Sequence, residues 1–431
     1  MGDAFSKQLA TQPPLRTESA SGWRNALTLP SLPEAHRTSP ITQGSSWFRK
    51  ILAFAGPGYL IAVGYMDPGN WATDIGGGSK FGYALLSVVL ISNLMAMFLQ
   101  GLSAKLGTAT GRDLAQACRD HYSRGVSIFL WVVCELAIAA CDLAEVLGSA
   151  IALKLLFGLP LLAGVVLTAF DVLIVLALQG RGFRLVDAFV VTLIGTIAVC
   201  FAYEIFFARA SVAGSRPRLH SATGNSPQQG NVVHRDRDPR RHCDASQSLF
   251  AFQHRVDAGV RQSNPERREA IKYSIIDSTV ALTFALFINA AILVLGASLA
   301  NTLFAFALLA SGQNSTLTGT LAGQIVMEGF LRIRLKPWIR RLITRMIAIL
   351  PAVLVIGIAG EGKLTSLLIL SQVILSFQLP FAVIPLVRFT SERAKMGEFV
   401  NSRLTTVISW GVTAAILFFN VELLWLTFRS S

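Results

Sequence analysis

Runs of about twenty apolar residues recur along this chain, each long enough to cross the hydrocarbon of a bilayer, and that recurrence leaves few folds open. A segment in lipid must satisfy every backbone polar group internally, which it does as a helix or within a closed barrel. Runs of this length read as helices, so the fold class is all-α and the protein is polytopic in a membrane. Over 431 residues, 52% are hydrophobic, 15% are charged and the mean hydropathy is +0.54, more apolar than a soluble fold needs. The net charge of +13 falls largely in short segments between the runs, as the positive-inside rule expects. Nucleic-acid binding is therefore not indicated. Five cysteines form no C-x-x-C pair, which leaves neither a disulfide framework nor a zinc site.

The first 48 residues are rich in Ser, Thr and Pro, lack the apolar core of a signal peptide, and read as a disordered cytoplasmic tail. The membrane domain is expected over residues 49 to 431. Its first runs are 51 to 78, 81 to 102, 126 to 157, a fourth ending at Gln179, and 186 to 208. The aromatic and basic stretch at 47 to 50 places the N-terminus inside. Later runs are 275 to 309, with its only plausible turn at 296 to 301, then 346 to 359, 364 to 386 and 404 to 428. Between them, 311 to 334 reads as an amphipathic stretch ending in a basic loop that holds Lys336, Arg340, Arg341 and Arg345.

Asp67-Pro68-Gly69-Asn70 interrupts the first run. A carboxylate at membrane depth is costly unless paired, which marks it as a functional site by default. Pro68 removes an amide hydrogen and Gly69 tolerates unusual backbone angles, so the helix is expected to open here and free its carbonyl oxygens. Such a break survives in lipid only inside protein or beside a wet cavity. Asp67, the Asn70 amide and the freed carbonyls then make an oxygen-rich cation site. The alternative is a Pro-Gly turn with Asp67 as a helix cap.

The third run carries Glu135, Asp142 and Glu145, and helical spacing puts the first two on one face with Glu145 beside them. Three carboxylates cannot all face lipid. They read as a proton path through the bundle, or as structural hydrogen-bond acceptors with Glu145 paired to a basic residue near a helix end. Gln372 and Gln378 lie near Pro380, where an interruption is expected; each is either a ligand or a helix-to-helix hydrogen bonder.

Residues 213 to 262 break the pattern, being rich in Arg, His, Ser, Gln, Asp and Pro with no run that could cross a membrane. The preceding run ends outside by parity, yet Arg267, Arg268 and Lys272 read as inside. One span is missing.

Asp67 to Asn70, Glu135 to Glu145 within Glu-Leu-Ala-Ile-Ala-Ala-Cys-Asp-Leu-Ala-Glu, Gly312 to Arg334, and Ser371 to Arg388 together resemble the Nramp family of divalent metal transporters, in its bacterial manganese branch. The resemblance covers most of the chain from Trp47 onward. It implies ten or eleven transmembrane segments in an inverted-repeat fold like that of the leucine transporter, with the first and sixth helices broken around the substrate. It further implies proton-coupled import of Mn(II) or Fe(II) across the bacterial inner membrane, with no enzyme activity, cofactor, nucleic acid or obligate protein partner. Asp67, Asn70 and Gln372 become metal ligands, and Asp142 and Glu145 the proton-path acids. The family's sixth-helix signature, Met-Pro-His-Asn, whose thioether favours Mn(II) and Fe(II) over harder ions, is absent.

One lesion accounts for both the missing span and the missing signature. Codons for Asp244-Ala-Ser-Gln-Ser, read one base later, permit Met-Pro-His-Asn, and the same frame permits Val-Thr-Val just before and an apolar run further upstream. The expectation is a segment of about 214 to 261 read out of frame between two compensating shifts. The alternative to a working importer is then a non-transporting remnant lacking the sixth-helix half of its site.

Overall fold

The computed structural model describes residue 23 and residues 57–171, 183–214, 264–295, 302–333, 335–360 and 364–430. The rest of the tail, the segment 215–263, the turn at 296–301, residues 51–56 of the first run and the end of the fourth run lie outside the described residues. Among those described, every regular element is a helix.

The first run is two helices, α1 (Pro57–Gly64) and α2 (Pro68–Phe81), separated by Tyr65, Met66 and Asp67. A short 3₁₀ turn leads to α3 (Leu86–Thr110), and Gly111, with φ of 65°, ends that helix in a left-handed conformation that glycine adopts without strain. The link to the third run contains α4 (Leu114–His121), started by a capping box in which Asp113 accepts from the Gln116 amide at 2.7 Å and Gln116 reaches back to Asp113. The third run is α5 (Arg124–Phe157), and its 34 residues extend about 51 Å, well beyond the hydrocarbon thickness.

The remaining helices are α6 (Leu161–Leu167), α7 (Phe183–Gly214), α8 (Asn264–Leu295), α9 (Thr302–Leu331), α10 (Pro337–Ala359), α11 (Leu364–Ser391), the short α12 (Arg393–Met396) and α13 (Arg403–Ser430). Seven helices among the described residues are long and apolar enough to cross a membrane. The protein is a multi-pass, all-helical membrane protein.

Its polarity is inverted relative to a soluble fold. On α5, Val126, Phe129, Val132 and Leu136 form an exposed apolar stripe, while Cys134, Cys141, Asp142 and Glu145 are buried on the other side. Small residues let the helices approach closely. A Cβ built on Gly148 of α5 would lie 2.2 Å from Cβ of Pro68, so α5 touches the break of the first run at a glycine.

Three readings of the sequence need correcting. The stretch from 311 to 331 is not an amphipathic piece with its own wet face, because it continues α9, whose residues are buried on nearly every side among α5, α7 and α4. Ser311, Gln313 and Thr316 meet polar groups of other elements, the Met66 carbonyl, Asp171 and Glu145. Arg340, Arg341 and Arg345 are not loop residues: α10 starts at Pro337, a residue preorganised for a helix start, and all three arginines are buried. Nor is α11 interrupted at Pro380; the helix runs through both Pro380 and Pro385.

A candidate metal centre and its acidic neighbours

The break of the first run is held from both sides. Tyr65 and Met66 donate their amides three residues back, to the carbonyls of Ala62 and Val63 at 3.1 and 3.0 Å, which tightens the end of α1. The carbonyls of Tyr65 and Met66 are not met by the amides four residues on, because Gly69 and Asn70 donate to the Asp67 carboxylate instead. They are not left bare, however. Asn289 of α8 donates its side-chain amide to Tyr65 O at 2.9 Å, and the Ser311 hydroxyl of α9 donates to Met66 O. The expectation of freed carbonyls waiting for a cation is corrected to that extent: bundle side chains occupy a lone pair on each.

Asp67 opens α2. Its two carboxylate oxygens accept from the amides of Gly69 and Asn70, each at 3.2 Å, while its own carbonyl accepts from Trp71. It is therefore the N-cap of α2, and its negative charge lies at the positive end of that helix. Cap and ligand are compatible roles for a carboxylate, since each oxygen has a second lone pair. Asp67, Asn70 and Gln372 are all buried.

Gln372 of α11 meets this turn. A Cβ on Gly69 would lie 1.7 Å from Gln372 Nε2 and 3.0 Å from Asp67 Oδ2, so the amide and the carboxylate converge over the glycine. Gln372 Nε2 is buried and has no hydrogen-bond partner among the described residues. Gln378, by contrast, donates to Cys134 Sγ at 3.2 Å, a helix-to-helix contact. Among the described residues no group of three His, Cys, Asp or Glu side chains is placed to hold a metal ion, so the donor set here is one carboxylate with amides.

The acids of α5 are all matched by arginines of α10. Arg340 forks onto Glu135, with both oxygens 2.9 Å from Nη2. Arg341 bonds Asp142 through Nη1 and Glu145 Oε2 through Nη2, the latter at 2.8 Å. Arg345 reaches Glu145 at 3.4 Å and also pairs with Asp171, at the end of the described part of the fourth run. Thr316 of α9 adds a hydroxyl to Glu145 at 3.2 Å. Asp142 Oδ2 remains buried without a hydrogen-bond partner among the described residues. This network joins α5, α9, α10 and the fourth run, and Gly148, one turn beyond Glu145, carries the Pro68 contact that brings it against the break.

Arg341, Arg345, Asp171 and Thr316 belong to this network yet were not singled out as site residues from the sequence. The close grouping of Arg340, Arg341 and Arg345 was visible, but a basic cluster between apolar runs reads first as a cytoplasmic loop.

The model of the family described as natural resistance-associated macrophage protein-like matches residues 58–216 and 294–426. The chain belongs to the Nramp family. Among Nramp relatives, the divalent metal cation transporter MntH of Nostoc sp. is 52% identical, over 92% of this chain and 96% of its own. The Listeria innocua transporter of the same name is 50% identical over 95% and 97%. The Eremococcus coleocola manganese transporter superposes with a TM-score of 0.80 at 36% identity, covering 91% of this chain and 90% of its own. The nucleobase-cation symporter Mhp1 shares the fold more distantly, with a TM-score of 0.51 and 15% identity over 87% and 93%.

Proposed function

We propose that the protein is a proton-coupled importer of Mn(II) or Fe(II) in a bacterial inner membrane, with its N-terminus in the cytoplasm, working by alternating access. The observation that carries this reading is the convergence of Asp67 and Gln372 over Gly69 at a helix break inside the bundle. Asn70, one turn into α2, supplies a further amide. A carboxylate and two amides are oxygen donors that suit a divalent first-row cation. Rotation of the Gln372 amide would bring its oxygen toward the Asp67 carboxylate, an arrangement that a cation between them stabilises.

Asp142 and Glu145 are the proton-path residues of this reading. Their arginine partners would keep the pair from being stranded as bare charge while a proton moves along the face of α5. The relatives named above are transporters rather than enzymes, and the metal is cargo here rather than a resident cofactor. The reading needs no nucleic acid or obligate protein partner, only the bilayer, metal ions and protons.

A second reading is favoured by one specific observation: the family match stops at residue 216 and resumes at 294. That gap spans the segment expected to be out of frame, and the sixth-helix half of the site would fall within it. On this reading the chain is a non-transporting remnant. Radioactive manganese uptake by proteoliposomes separates the two, with three proteins compared: the chain as written, the chain with the shifted frame restored, and the restored chain carrying Asp67→Ala. Uptake by the restored chain that Asp67→Ala abolishes supports the importer and its ligand. Activity of the chain as written defeats the remnant, and uptake undiminished by Asp67→Ala defeats the site.

A further inference from the structure

Asp171 closes the described part of the fourth run, where two other helices reach it. Its Oδ2 pairs with Arg345 Nη2 of α10, and its Oδ1 accepts from Gln313 Nε2 of α9 at 3.1 Å. The same arginine lies 3.4 Å from Glu145 Oε2 and 3.2 Å from the Thr316 hydroxyl. Asp171 therefore shares Arg345 with Glu145, while Arg341 joins Glu145 to Asp142.

Among the described residues these five side chains make ion pairs only with one another. Their count is uneven, with three carboxyls, Asp142, Glu145 and Asp171, against two guanidiniums, Arg341 and Arg345. All five residues are buried. Fully ionised, the set would hold one unbalanced negative charge away from water, a cost that a single bound proton removes. A seat for that proton is open. Asp142 Oδ2 accepts no hydrogen bond among the described residues, so a proton placed there displaces no donor. The other five carboxyl oxygens accept from Arg341, Arg345, Thr316, Gln313 and, at 3.7 Å, the Cys141 thiol.

We propose that Asp142, Glu145 and Asp171 form one proton-holding site, three carboxyls sharing two arginines and one proton, in which Asp171 supplies the acid that makes the count odd. The proposal rests on the proton-path reading of Asp142 and Glu145 and extends it past α10 to the fourth run. An O–H bond broken at one carboxyl is remade at another, so the set stays neutral while the proton moves, and the proton belongs to the set rather than to one residue. Without Asp171, the two acids of α5 match two arginines and the count calls for no proton. The other titratable groups facing the set are Cys141 and, at the helix break, Asp67, which lies within electrostatic reach of Glu145. Arg340 is taken up by Glu135.

The proton count is read without metal or uptake, so its failure leaves the importer reading standing, and a chain that moves no metal can still satisfy it. Infrared absorption of the full chain in detergent at neutral pH reports protonated carboxyls through a C=O stretch that lies above the amide band and shifts in D2O. Relative to the parent, Asp171→Asn should lose the intensity of one carboxyl per chain and Arg345→Gln should gain one. The two substitutions together should return to the parent level, since each offsets the imbalance made by the other. Unchanged carboxyl intensity in Asp171→Asn, with helical circular dichroism retained, overturns the proposal. Should that variant fail to fold, Arg345→Gln and the charge-balanced double variant decide: equal intensity in those two rejects the shared proton.

Discussion

Gly69 and Gln372 are packed so closely that the methyl of an alanine at position 69 would fall 1.7 Å from the glutamine amide nitrogen. The atom in the way is the end of a flexible side chain, so Gly69→Ala should fold, at an overpacking cost of about 1–3 kcal/mol. The Gln372 amide must swing away from Asp67. In the frame-restored chain, calorimetric titration with Mn(II) should then show affinity weakened by about tenfold or more, the loss of one good ligand contact. Full affinity in a folded Gly69→Ala protein would show that the amide is not a ligand.

Asp67 has two separable jobs. Asparagine keeps a cap acceptor but not the charge, whereas alanine keeps neither. Thermal unfolding in detergent should therefore show Asp67→Asn close to the parent and Asp67→Ala lower by about 0.5–2 kcal/mol. Manganese uptake by the restored chain should be lost in both. If Asp67→Asn still transports, the carboxylate serves the helix alone.

The arginines of α10 differ in what depends on them. Arg341 holds two carboxylates that are almost fully buried, whereas Glu135, the partner of Arg340, has a side chain 24% exposed. Arg341→Leu should cost about 3–5 kcal/mol by stranding buried charge. Arg340→Leu should cost about 1 kcal/mol or less, since its partner can rehydrate. Adding Asp142→Asn and Glu145→Gln to Arg341→Leu should recover much of the loss, and equal melting temperatures for the two single variants would contradict the ranking.

Gly148 sets how near α5 can come to the break. A methyl there would meet the Pro68 ring, 2.2 Å from its Cβ, and a ring joined to the backbone cannot swing aside as a glutamine can. Gly148→Ala should thus destabilise by about 1–3 kcal/mol and also shift Asp67. A chain with Gly148→Ala that matches the parent in both melting and Mn(II) affinity would show that this contact does not position the site.

Much of this protein was determined by local pattern. Apolar run length predicts helices that cross a membrane, and the third run is a helix within two residues of its expected start. The Asp-Pro-Gly-Asn quartet by itself placed the break and its cap, because a missing amide hydrogen and a side chain two or three residues away act over one turn. Side-chain partners across the bundle were legible only in the tertiary structure. Arg341 and Asp142 are 199 positions apart, and a basic cluster between apolar runs has the same composition whether it faces water or an acid. Asn289, Ser311 and Gln372 likewise come to the break from three other helices. Hydrophobic period tells each helix which side to bury, but not which neighbour it will bury that side against; packing of the whole bundle decided that, and with it which carboxylates hold arginines and which meets an amide.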